Sequence, residues 1–221
     1  MSLAGRTILD AKDAYTRATF QALADAILPP VIRRTEEGGA EWIPGAVQLW
    51  ADRFASGELD FSQFIPAGAG PIEPLSRASA RLLDAAARQL VRRGLMQDTE
   101  NPWTFPGGGL FSALSRTDRL RALTLLDRLE IPLDTLPFPF TNNPPMIQVI
   151  VNSFYQLTLF GYYSEWFGYG TTRLAPPNDR RLEAFPPSWR LVGYPGPSFG
   201  YRDLRGFLLK YPHKQGDDLH E

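Results

Sequence analysis

The chain has 221 residues, 43% of them hydrophobic, which is room for one large domain or two small ones and enough apolar side chain for a buried core. Its 23 basic and 24 acidic residues balance, so a nucleic-acid face, which needs clustered Lys and Arg to displace phosphate counterions, is not expected. The absence of cysteine excludes disulfides, all-thiolate zinc sites, cysteine-ligated iron–sulfur clusters and covalently attached haem.

The opening stretch "MSLAGRTILDAKDAYTRATF" has no basic region followed by an apolar run. Neither a secretory nor a twin-arginine signal is read there, and a cytoplasmic location is the expectation unless a signal was removed or a partner carries the chain to the periplasm. Residues 13–28 follow as a helix, with Phe20, Leu23, Ala24, Ile27 and Leu28 at helical spacing and Pro29-Pro30 as its stop. "RRTEEGGAEWIPG" reads as a polar loop. Pro44 is placed to open a second helix that buries Val47, Trp50, Ala51 and Phe54.

After the break "FIPAGAGPIEP", the spacing predicts a helix over 73–93. Leu75, Ala78, Leu82, Leu83, Ala86, Leu90 and Val91 form its apolar stripe, with Arg77, Arg81, Asp84 and Arg88 outside. Arg92 and Arg93 suit the negative end of the helix dipole, and Gly94 suits a left-handed closing residue. The turn "QDTENPWTFPGGG" leads to a further helix over about 112–129, in which Arg116-Thr117-Asp118-Arg119 reads as an exposed face. "IPLDTLPFPFTNNPP" reads as an ordered irregular connection, because Leu133, Leu136, Phe138 and Phe140 would otherwise be wet. A long helix is expected over 145–167, and the chain is Pro/Gly-rich again beyond Gly170. No period-two strand series stands out. The fold class expected is mainly α: a single compact helical domain over 1–221 with long ordered Pro/Gly-rich loops and flexible termini at about 1–10 and 212–221.

No catalytic constellation emerges. Gly107-Gly108-Gly109 precedes a helix, but without a following Gly-Lys-Ser/Thr or a preceding strand it reads as a flexible turn after Pro106. Asp25, Asp84, Asp127 and Glu130 have no spacing that marks a carboxylate pair or a metal site. The only histidines, His213 and His220, and the only lysines, Lys12, Lys210 and Lys214, lie near the chain ends. No catalytic, cofactor-binding or metal-ligating residue is therefore assigned.

"FYQLTLFGYYSEWFGYG", residues 154–170, holds eight aromatic rings among seventeen residues. Gln148, Asn152, Ser153, Gln156, Ser164 and Glu165 interrupt it and its approach, so it is not a transmembrane segment. A helix apolar on nearly every side is normally central, which places Phe154, Leu157 and Phe160 in the core. Tyr and Trp carry polar atoms and favour places where one end meets water or a partner. A cofactor cage is disfavoured, since no charged or phosphate-binding group accompanies the rings.

Three stretches resemble the gluconate 2-dehydrogenase subunit 3 family, the small subunit of flavin-dependent gluconate and glucose dehydrogenases. "TFQALADAILPP" with "IPGAV" is similar to the family's opening helix and the start of its next. "FYQLTLFGYYSEWFGYG" is similar to its aromatic helix end, and "SWRLVGYPGPSFGYRDLRG" to its closing Trp-x-x-x-Gly-aromatic-Pro-Gly segment. The resemblance implies a non-catalytic accessory subunit that supports assembly, stability or export of a large sugar or polyol dehydrogenase. That partner would carry the FAD, and a cytochrome c subunit, where present, would accept electrons. Tyr162, Tyr163, Trp166, Tyr169, Tyr194 and Phe199 are the expected partner-binding residues, unless these rings only pin the C-terminal segment to the chain's own core. The alternative class is a stand-alone carbohydrate-binding protein or enzyme with an aromatic pocket.

Overall fold

A computed structural model describes residues 13–34, 38–61, 73–98 and 105–197. The segments expected to be flexible ends, 1–10 and 212–221, and the candidate residue Phe199 lie outside the described residues. Two compact units are present, the first ending at Ala184 and the second beginning at Phe185. Among the described residues the fold is mainly α, with one two-stranded antiparallel sheet.

In the first unit, helix α1 (Ala14–Ile27) starts where the Asp13 carboxylate accepts the Thr16 N–H at 2.7 Å and ends before Pro29-Pro30. The segment expected as a loop then forms a hairpin, β1 (Val31–Arg34) with β2 (Ala40–Ile43), in which Ile32 faces Trp42 and Arg33 faces Glu41. It escaped the sequence reading because both strands are exposed on both faces, so no alternation of apolar and polar residues marks them.

Helix α2 spans Ala51–Phe61 rather than starting at Pro44. Residues 46–50 are turns, and Trp50 adopts a left-handed φ of +59° that no helix continues through. Gly45 lies so close to Leu28 and Pro30 that a β-carbon there would fall 2.5 Å from the Pro30 nitrogen. Ala46 and Leu49 are buried in this turn, while Trp50, expected inside, is exposed.

Helix α3 (Leu75–Arg92) has no cap of its own at Pro74. Asp60 from the end of α2 supplies one, accepting the Ser76 N–H at 2.8 Å and the Ser76 hydroxyl at 2.9 Å. Gly94 closes the helix with φ +63°, as expected. Two positions on α3 depart from the expected stripe: Val91 is exposed and Asp84 is buried. The reason lies in the glycine run. The Asp84 carboxylate accepts the Phe111 N–H at 2.9 Å and the Tyr15 hydroxyl at 2.8 Å, capping the one-turn helix α4 (Leu110–Ala113). A β-carbon on Gly109 would meet Asp84 Oδ2 at 1.9 Å. Gly107, at φ +89°, sits in the turn expected after Pro106, while Gly108 and Gly109 are close-approach positions. Burial, and then the Asp84 charge and hydrogen bond, raise the Tyr15 phenol far above its ordinary pKa.

Helix α5 (Arg116–Asp127) is capped by Ser115, which accepts the Asp118 N–H at 3.2 Å. The face expected to be exposed is in part buried, with Asp118 and Arg119 enclosed. Asp118 holds the Gln97 and Asp98 N–H groups at 3.0 and 3.1 Å. Arg119 bonds Asp25 of α1, which Arg116 also grips through two 2.8 Å bonds. The Pro-rich connection is ordered and buries Leu136 and Phe140, but Phe138, expected inside, is 79% exposed.

Helix α6 (Pro144–Tyr163) begins at Asn143, which accepts the Met146 N–H, with Pro144 and Pro145 in the first turn where no N–H is needed. It packs on α1 through the edge-to-face pair Phe154–Phe20 and on α2 through Gly161, whose missing β-carbon leaves 2.9 Å to Phe54 Cβ. In the second unit, the short helix α7 (Pro187–Leu191) carries a buried Trp189, whose ring meets Phe185 at 5.3 Å and Tyr194 at 4.8 Å.

Candidate interaction surface

The twenty residues of α6 contain no Asp, Glu, Lys or Arg. Ile147, Ile150, Val151, Phe154, Thr158, Gly161 and Tyr162 face inward. Val149, Asn152, Gln156, Leu159, Phe160 and Tyr163 face outward. A solvent-facing helix normally carries charge, as α3 does with Arg77, Arg81, Arg88 and Arg92. The outer side of α6 has none, and Phe160 is 62% exposed there. The core position expected for Phe160 is thus overturned. The inward series from 147 runs at spacings of three and four through 154 and 158 to 161 and 162, which turns position 160 outward. Leu157 is half-buried against the core.

The candidate aromatics divide. The Tyr162 hydroxyl donates to the Pro44 carbonyl at 2.8 Å, and burial followed by the neighbouring Tyr163 raises its pKa. Trp166 is buried and its indole N–H donates to the Trp50 carbonyl at 3.0 Å. These two rings brace the turn that launches α2. Tyr163 is exposed on the outer side of α6, its ring edge-on to Tyr162 at 4.8 Å. Tyr169 is half-buried, with the Arg180 guanidinium 5.9 Å from its ring. Tyr194 is exposed and belongs to the second unit.

Around the end of α6 the structure adds residues that the sequence did not single out. Phe54 stacks on Phe160 at 5.4 Å and meets Trp166 at 5.3 Å. Arg173 is buried, donates to the Trp166 carbonyl at 2.7 Å and to that of Phe167 at 3.0 Å, and lies 3.9 Å from the Trp50 ring. The chain beyond α6 is clasped by Glu183, which accepts the Thr171 N–H and hydroxyl and hangs over Gly170, whose φ is +47°. Those bonds hold the Glu183 carboxyl below its usual pKa. The spacing of Trp50, Arg53 and Phe54 at i, i+3 and i+4 is the only sequence signal that would have grouped any of these residues.

Among the described residues, no group of three or more His, Cys, Asp or Glu is placed to hold a metal, and no helix is long and apolar enough to cross a membrane. Comparisons with protein-family models, with curated proteins and with solved structures return no match.

Proposed function

We propose that the chain is a non-catalytic accessory subunit of a flavin-dependent sugar or polyol dehydrogenase, binding the large flavoprotein through the outer side of α6. The observation that carries the partner-binding role is the uncharged outer face of that helix with Phe160 and Tyr163 exposed on it. Interface cores are depleted of charge and enriched in aromatic rings, and Tyr and Phe supply large contact area with few side-chain rotors to freeze. The identity of the partner rests on the three motif likenesses, and the absence of cysteine together with two histidines near the C-terminus agrees with a chain that leaves redox chemistry to that partner. FAD then belongs to the large subunit, and the compartment follows the subunit that carries the export signal.

The purified chain alone is expected to be colourless and without dehydrogenase activity, whereas co-expression with the flavoprotein yields a complex with the absorption of oxidised flavin. Phe160→Ala and Tyr163→Ala should each weaken that complex by about 1–2 kcal/mol while leaving the isolated chain's melting temperature within a few degrees of native. A flavin or haem retained by the isolated chain, or a complex indifferent to both substitutions, overturns the proposal. A carbohydrate that binds the partner-free chain would instead support the stand-alone binding reading.

A further inference from the structure

Two arginines converge on one indole. Trp50 holds a left-handed φ of +59°, a conformation that costs a residue with a bulky side chain and persists only where surrounding contacts impose it. Those contacts are the Trp166 indole N–H on its carbonyl and the Arg173 guanidinium over its ring. Arg53 approaches the same ring, with its guanidinium carbon 5.4 Å from the centroid. Among the described residues neither Arg53 nor Arg173 forms a salt bridge. Asp52, next along the chain, is turned into the buried side of α2, and the Glu183 oxygens are taken by Thr171. Burial, and then repulsion from Arg53, lower the Arg173 pKa to about 10, against a smaller opposing pull from Glu183.

The cluster is continuous with the α6 face. Phe160 stacks on Phe54, Phe54 meets Trp166, and Trp166 bonds Trp50. Trp50 is 37% exposed and Arg53 is exposed, so a partner side chain reaches both. Arg173, only 7% exposed, adds its charge from beside the ring.

We propose that Arg53, Trp50 and Phe160 receive an acidic side chain flanked by apolar residues from the partner. The carboxylate bonds the Arg53 guanidinium and neutralises the charge it shares with Arg173, while the flanking apolar groups cover the indole and Phe160. An acid placed there offsets the charge of both arginines, so binding favours it over a neutral side chain of similar shape. The inference rests on the outer side of α6 being a partner-binding face and does not depend on that partner being a flavoprotein.

The test is a library of random short peptides displayed on phage and selected against the full-length chain, followed by affinity measurements on the selected peptides. The expected result is enrichment of Asp or Glu next to an aromatic or aliphatic residue. Arg53→Gln should weaken the selected peptides about fivefold, as should changing the peptide's acid to its amide, and the two changes together should cost little more than either alone. Arg53 is exposed, so an unchanged melting curve for Arg53→Gln shows that the fold is intact. Selected peptides without an acid, peptides that bind Arg53→Gln as well as native, or no selected peptide at all would overturn it. Acidic peptides selected by a chain that binds no flavoprotein would sink the dehydrogenase reading and leave this one standing.

Discussion

Replacing Phe154 with alanine is expected to lower the free energy of unfolding by about 3–5 kcal/mol. The ring is fully buried and stands edge-on to Phe20 at 6.2 Å, with an interplanar angle of 85°, so it is the direct link between α6 and α1. Truncation removes the apolar area and leaves a cavity that two helices crossing at that point cannot close. The control lies six residues on. Phe160 is 62% exposed, so its truncation should cost less than about 1 kcal/mol. Denaturant unfolding of the two variants, with the slope against denaturant unchanged, makes the comparison. A loss at Phe154 no larger than at Phe160 would remove Phe154 from the core.

Arg119→Ala should cost about as much, roughly 3–5 kcal/mol, for a different reason. Its guanidinium is 2% exposed and donates to Asp25 at 3.1 Å and to the carbonyls of Ser112, Phe111 and Ala22 at 2.8, 3.3 and 3.4 Å. The Phe105 ring covers it at 5.0 Å. Truncation takes the side-chain donor from the Ser112 carbonyl, removes a second donor from those of Phe111 and Ala22, which keep backbone N–H partners, and leaves the buried Asp25 carboxylate with Arg116 alone. Burial lowers the Arg119 pKa, against the opposing pull of Asp25 beside it. The double variant Asp25→Asn with Arg119→Met should therefore lose clearly less than the sum of the two single losses. Additive losses in thermal or chemical denaturation would show that the pair is not coupled.

The helices that could be read from the sequence are those with plain punctuation. Pro29-Pro30 ends α1, Gly94 ends α3 and Pro144-Pro145 opens α6, and each acts through its own backbone geometry, independent of distant residues. Three of the misreadings depend on partners remote in the chain. Asp84 looks like a surface residue until Tyr15 and Phe111 arrive to bond it. Arg119 looks exposed until Asp25, 94 residues earlier, is set against it. The start of α2 depends on a left-handed Trp50 that no local propensity favours, because Trp166 and Arg173 fix it from outside. The candidate surface was legible as a segment and not as a set of side chains. The aromatic helix end was recognisable, but placing Tyr162 inside and Phe160 outside needed the helix register.

The turn that launches α2 has its fastenings on the far side of the chain. The Pro44 carbonyl takes a hydroxyl 118 residues later, and the Trp50 carbonyl an indole N–H 116 residues later. During synthesis, α2 thus emerges from the ribosome long before Tyr162, Gly161 and Trp166 exist to cover it. Phe54 stays wet through that interval, and closing so long a loop is slow compared with forming the helices themselves. A chain cut short before residue 162 lacks the groups that fasten the turn before α2 and is expected to be less stable than the full chain.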